Sequence, residues 1–101
     1  MRVATQSFLL FVTNRFPNGS TGAPRLGVTV SRRVGGSVVR SRVKRRIREW
    51  FRRVRSRLPM SRDLVVIARP MAAQLSQHDA DRELTTAADR LSAANARGTM
   101  S

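Results

Sequence analysis

Cysteine and tyrosine are absent from this chain, histidine and tryptophan occur once each, and acidic residues number only six. Without cysteine there is no disulfide framework, no thiolate nucleophile and no cysteine-based zinc site. One histidine and a handful of acids, most of them in the C-terminal third, leave no visible constellation for acid–base or metal chemistry. His78 stands beside Asp79 and Asp81 and reads as a surface or capping residue. Long apolar runs are missing too. The longest, Phe8-Leu9-Leu10-Phe11-Val12, is followed at once by Asn14 and Arg15, too short for a signal-peptide core or a membrane span. A cytoplasmic protein with no membrane partner is expected.

Against these absences stands an excess of one kind of charge. Twenty basic residues face six acids, for a formal net charge of +14, and all but Lys44 of the twenty are arginine. The guanidinium is a planar fork of donors that matches phosphate and stacks on bases, which an ammonium cannot do. A partner dense in phosphate follows. The charge is also local. Between Arg32 and Arg57 there are 12 basic side chains and one acid, Glu49, whereas the remaining 75 residues carry eight basic and five acidic ones. A charge serving solubility alone would be spread more evenly.

At 101 residues the chain has material for one small core. Arg2 to Thr5 is a possible short strand, and Ser7 to Thr13 reads as a strand. Arg15 to Pro24 (RFPNGSTGAP) is turn-forming. Arg25 to Ser31 alternates, with Leu26, Val28 and Val30 on one side, and is expected to pair with the preceding strand as an antiparallel hairpin. Val34-Gly35-Gly36 breaks it, and Ser37 is the expected N-cap of a helix. From there apolar residues fall at Val39, Val43, Ile47, Trp50, Phe51, Val54 and Leu58, in steps of three and four, up to Pro59. Ser41, Lys44, Arg45, Arg48, Arg52 and Arg55 lie on or near the opposite side. Arg46, Arg53 and Arg57 lie at the edge of the apolar stripe, where their stems can cover core. Asp63 to Arg69 is expected as a buried strand. Ser76-x-x-Asp79 resembles a capping box opening a last helix through Ala80, Leu84, Ala87, Ala88, Leu91 and Ala94. A single domain over residues 1–95 and a disordered tail over 96–101 follow. The fold class expected is α+β, a small two-layer sandwich of order β-β-(β)-α-β-α.

The basic helix could be a solvated face or a membrane-surface helix. Solvated helices intersperse glutamate with lysine, however, and the apolar stripe is needed for the core. Following several phosphates along its length is the stronger reading; neutralising about six would make affinity fall about 10³-fold between low and moderate salt. DNA-reading helices carry base-specific side chains at the N-terminal end, usually within a multi-helix module. A sheet-plus-helix domain gripping folded RNA by shape fits better, so no DNA partner is expected.

The run from Gly27 to Glu49 (GVTVSRRVGGSVVRSRVKRRIRE) resembles the central signature of the bacterial ribonuclease P protein subunit. That family has a strand ending in Ser and two basic residues, then Val-Gly, a short turn, and a helix with an Arg-Asn-Arg, Lys-Arg, Arg pattern. Arg40, Arg42, Lys44, Arg45 and Arg48 match it, and Asp63 to Pro70 resembles the family's last strand. Ser41 stands where the family has Asn, keeping a hydroxyl but losing the amide. The resemblance implies an endoribonuclease that removes the 5′ leader of precursor tRNA, with its catalytic centre in an RNA subunit and no catalytic residue in the protein. Magnesium would be used by the RNA–protein holoenzyme, with no metal site in the protein, which alone would be monomeric.

The expected RNA-binding residues are Arg32, Arg33, Arg40, Ser41, Arg42, Lys44, Arg45, Arg46, Arg48 and Arg52. Phe11, Thr29 and Ser31 are expected in a leader-binding cleft, Phe11 because by position it matches an aromatic that lines the family's cleft. Phe8 and Phe11 point to opposite faces of a strand, so one of them belongs to the core. The basic helix would cross between strands of one sheet, and the resemblance implies a left-handed crossover, against the usual rule. The family usually opens with a Phe-bearing helix that walls the cleft, and this chain is expected to lack it. The alternatives are a basic ribosomal or RNA-chaperone protein and a stand-alone nuclease.

Overall fold

A computed structural model describes residues 2–13, 25–55 and 63–100, with backbone alone for residue 13 and residues 94–100. Four strands, β1 (Arg2–Ala4), β2 (Phe8–Thr13), β3 (Leu26–Val30) and β4 (Asp63–Ala68), form one sheet in the order β1-β2-β4-β3. Two helices, α1 (Ser37–Val54) and α2 (Gln77–Met100), pack together and against the same face of it. A 3-10 helix at Pro70–Gln74 leads from β4 towards α2.

The expected hairpin between the second and third strands does not form. β2 pairs antiparallel with both β1 and β4, and β3 lies parallel to β4. The apolar run of β4 explains this: it takes the central place, with hydrogen-bonding partners on both edges. A parallel pair also requires a crossover long enough to hold a helix, and α1 is that crossover. The turn-forming loop with its Asn18-Gly19 pair lies outside the described residues.

Alternation assigns the two faces of the sheet. Val3, Phe8, Leu10, Val30, Leu64, Val66 and Ala68 are buried against the helices. From above, α1 contributes Val43, Ile47, Trp50 and Phe51, and α2 contributes Ala80, Leu84, Ala87, Ala88 and Leu91. The small residues of α2 allow it to sit close to the sheet. β4 was expected to be buried throughout, but its residues alternate between buried and half-buried, because the helices cover only one face.

The start of α1 differs by one residue from expectation. Gly36, with extended backbone (φ −70°, ψ 179°), is the N-cap, and Ser37 is the first helical residue with no side-chain cap. The reason is that Gly36 already accepts the first helical hydrogen bond, from Arg40 N at 2.9 Å. At Gly35 a Cβ would lie 2.8 Å from Val39 Cγ1, so only glycine lets the turn pass this close to the helix. α1 ends at Val54 with Arg55 in a further turn; Arg57, Leu58 and Pro59 lie outside the described residues. Ser76 Oγ accepts from Asp79 N at 3.1 Å, capping α2 as its sequence suggested. The helix runs on to Met100, where a frayed tail was expected from Ala96. The backbone hydrogen bonds of α2 carry past the last core residue, Leu91.

One polar cluster ties α2 to the turn between β1 and β2. Glu83 accepts from Ser7 N at 2.8 Å, Ser7 Oγ at 3.1 Å and the Thr5 hydroxyl at 2.5 Å. Ser7 is only 1% exposed, so its donors depend on that carboxylate. Glu83→Ala should cost about 1–3 kcal/mol by leaving them enclosed and unpaired. A thermal melt is expected to show a drop of several degrees, and Glu83→Gln, which keeps an acceptor, a smaller one.

Candidate nucleic-acid interface

The arginines of α1 are sorted by their angle around the helix. Arg42, Arg45, Arg48, Arg52 and Arg55 are exposed, with Ser41 among them and Lys44 half-buried. They occupy a face about 27 Å long at 1.5 Å per residue. The other face is the apolar stripe, with Ile47 and Trp50 almost fully enclosed. Because one stripe is committed to the core, the helix can turn its cations only outward. The first turn holds no acidic residue that would neutralise the helix N-terminus. Arg32 and Arg33 are exposed in the turn that feeds that end, so the basic surface is continuous from the end of β3 along α1.

Three of the expected RNA-binding residues are placed differently from the rest. Arg46 turns towards α2: it is half-buried and its Nη1 donates to the carbonyl of Leu75. Its position at the edge of the apolar stripe, rather than opposite it, is the cause. Arg40 is also half-buried, and its Nε is enclosed without a hydrogen-bond partner among the described residues. Arg52 is exposed but pairs with Glu49 at 3.0 Å, one turn away. An exposed pair of this kind contributes little and gives way readily to a phosphate.

The second surface is the sheet face that the helices leave open. The register places Arg2, Phe11, Val65 and Gly27 in one row across it, and Ala4, Leu9, Ile67 and Thr29 in the next. Phe11 is half-buried on this face, while Phe8 is in the core at 1% exposure. Thr29 is exposed on the same face, two strands from Phe11 and so about 10 Å away. Ser31 follows the end of β3, exposed, its carbonyl accepting from Val34 N. Phe11 and Thr29 thus share one face, and Ser31 stands at its end, beside the start of the basic surface. Leu9, Val65 and Ile67 also form the floor of this face and were missed from sequence. Alternation along β2 pairs Leu9 with Phe11, but the unbroken apolar run of β4 conceals which of its residues face outward.

Among the described residues no group of three or more His, Asp or Glu side chains is gathered as a metal ion would need. No helix among them is long and apolar enough to cross a membrane.

Comparison with known proteins agrees with this arrangement. A family model described as ribonuclease P matches residues 1–92. The ribonuclease P protein component of Syntrophobacter fumaroxidans is 46% identical over 85 residues, covering 82% of this chain and 67% of that protein. The solved ribonuclease P protein of Staphylococcus aureus superposes with a TM-score of 0.73 at 31% identity, over 86% of this chain and 76% of that one. A mutant of the Staphylococcus aureus protein described as defective in mRNA degradation activity superposes with a TM-score of 0.75 at 30% identity, over 86% and 70%. With the family model spanning nearly the whole chain and the fold shared, this chain belongs to the ribonuclease P protein family, the protein component of an endoribonuclease that processes tRNA as a ribonucleoprotein.

Proposed function

We propose that this chain binds the catalytic RNA of ribonuclease P through the exposed arginines of α1 and the preceding turn. On this reading the open sheet face holds the single-stranded 5′ leader of precursor tRNA. The observation that carries it is the separation of the two surfaces. A basic surface suited to folded RNA lies on the helix side, and an apolar floor with one half-buried aromatic lies on the other side of the same sheet. Guanidinium groups spaced along a rigid helix bind phosphates by charge and shape. A strand-borne phenylalanine offers a stacking face to an unpaired base, worth about 1–3 kcal/mol. The protein orients and holds both RNAs and supplies no reacting group. Magnesium serves the RNA–protein holoenzyme, in the cytoplasm, and the protein alone is a monomer.

Reconstitution tests this. The chain added to its cognate RNA should restore cleavage of precursor tRNA at low magnesium, where the RNA alone is slow. No stimulation would leave a binding protein without a processing role, of the ribosomal or chaperone type. Within the same assay Phe11→Ala should weaken binding of leader-bearing precursor by about tenfold, with little change for tRNA lacking a leader. Equal loss for both substrates would remove Phe11 from the leader site.

A second reading has one observation in its favour, the mRNA degradation activity attributed to the Staphylococcus aureus protein. Cleavage of mRNA by rigorously RNA-free protein would support it.

A further inference from the structure

Along one flank of α1 the arginines are engaged by α2, through a continuous chain of hydrogen bonds. Arg46 donates to the carbonyl of Leu75. The carbonyl of Arg46 in turn accepts from Gln77 Nε2 at 3.1 Å. The same amide nitrogen donates to Asp81 Oδ1 at 2.8 Å, so both of its hydrogens are used. The other Asp81 oxygen accepts from Arg53 Nη2, and Arg53 Nε also reaches the carbonyl of Glu49 at 3.3 Å. Arg46 and Arg53 are two helical turns apart on α1, and Gln77 and Asp81 are one turn apart on α2, so each pair faces the other helix along one line.

We propose that Asp81 and Gln77 are positioning residues that set the roll of the arginine helix and withhold Arg46 and Arg53 from RNA. The apolar stripe alone leaves this roll loosely determined. Valine and isoleucine contacts are non-directional, and a stripe roughly 120° wide tolerates some rotation against the sheet. A directional seam at one edge of the stripe removes that freedom. It presents Arg45, Arg48, Arg52 and Arg55 outward as one row, and it makes α2 part of the RNA-binding apparatus without touching RNA. Asp81 is suited to this role because its side chain is only 22% exposed while that of Arg53 is 53% exposed. The carboxylate is held in place, and it captures a cation that would otherwise join the exposed set.

The inference rests on α1 being the RNA-binding face, and salt dependence separates the two claims. Binding to a transcript of the cognate ribonuclease P RNA is measured across a salt series for the full chain and its variants. Arg45→Gln should lower the slope of log affinity against log salt by about 0.7–0.9, the loss of one phosphate contact. Arg53→Gln should leave that slope unchanged, with affinity within about threefold of the parent. Arg53→Asp alone sets two carboxylates opposite each other and should weaken binding about fivefold. The exchanged pair, Arg53→Asp with Asp81→Arg, should restore parental affinity and slope, because the seam is remade with its charges reversed. A slope for Arg53→Gln as low as that for Arg45→Gln shows Arg53 on phosphate and overturns the inference alone. So does a folded exchanged pair that binds no better than Arg53→Asp. If the exchanged pair does not fold by circular dichroism, the slope of Arg53→Gln decides by itself. An unchanged slope for both single Gln variants removes α1 from the RNA and overturns both claims.

Discussion

Trp50→Ala is expected to destabilise the domain by about 3–5 kcal/mol, the range for truncating a large buried aromatic. Trp50 is 1% exposed and lies between the two helices and the sheet. Its ring packs at a tilt against Phe51, with centroids 6.4 Å apart, and its indole N–H donates to Thr85 Oγ1 at 3.0 Å. The substitution therefore opens a cavity and strands the Thr85 hydroxyl together. Small domains are stable by only about 5–15 kcal/mol, so much of the folded population could be lost at 37 °C. Urea denaturation followed by far-ultraviolet circular dichroism measures the effect. A midpoint equal to that of the parent would mean that the faces of α1 are assigned wrongly. Trp50→Phe keeps most of the apolar volume and loses the hydrogen bond, so it should fall well short of the alanine variant.

The opposite outcome is expected on the outer face of the same helix. Arg42→Ala with Arg45→Ala should leave the melt unchanged, since both side chains are exposed and hold no core contact. Affinity for the catalytic RNA should nevertheless fall about a hundredfold, at roughly tenfold for each charged hydrogen bond lost. The salt slope should fall by about two. Native affinity for this double variant would move the RNA to another surface. One helix would then show two mutational classes within a single turn, stability without binding and binding without stability. That separation follows from its periodicity.

The parts that were legible in the sequence are those governed by local pattern. The steps of three and four from Val39 to Val54 placed Trp50 and Ile47 inside and Arg45 and Arg48 outside, because helical geometry converts spacing directly into angle. Phe8 and Phe11 had to face opposite ways for the same reason on a strand. Strand pairing was not legible. Nothing within residues 26–30 shows that their partner is a strand more than thirty residues later rather than the one just before. The sheet forms whichever pairing buries most side chains while satisfying both edges of β4. Arg46 could not be told from Arg45 as an RNA contact either. The difference between them is a carbonyl on Leu75, a group every residue has, delivered by the packing of α2.

The sequence by itself determined the kind of partner and the element that meets it. Nineteen arginines and one lysine, crowded onto one amphipathic segment, admit few uses other than phosphate. The tertiary structure alone decided how many of those arginines are free to meet RNA, and which sheet face stays open opposite them. Charge and periodicity are properties of neighbouring residues, fixed before the chain folds. Availability is a property of what packs alongside, and here Gln77 and Asp81 come into register with α1 only once both helices lie on the sheet.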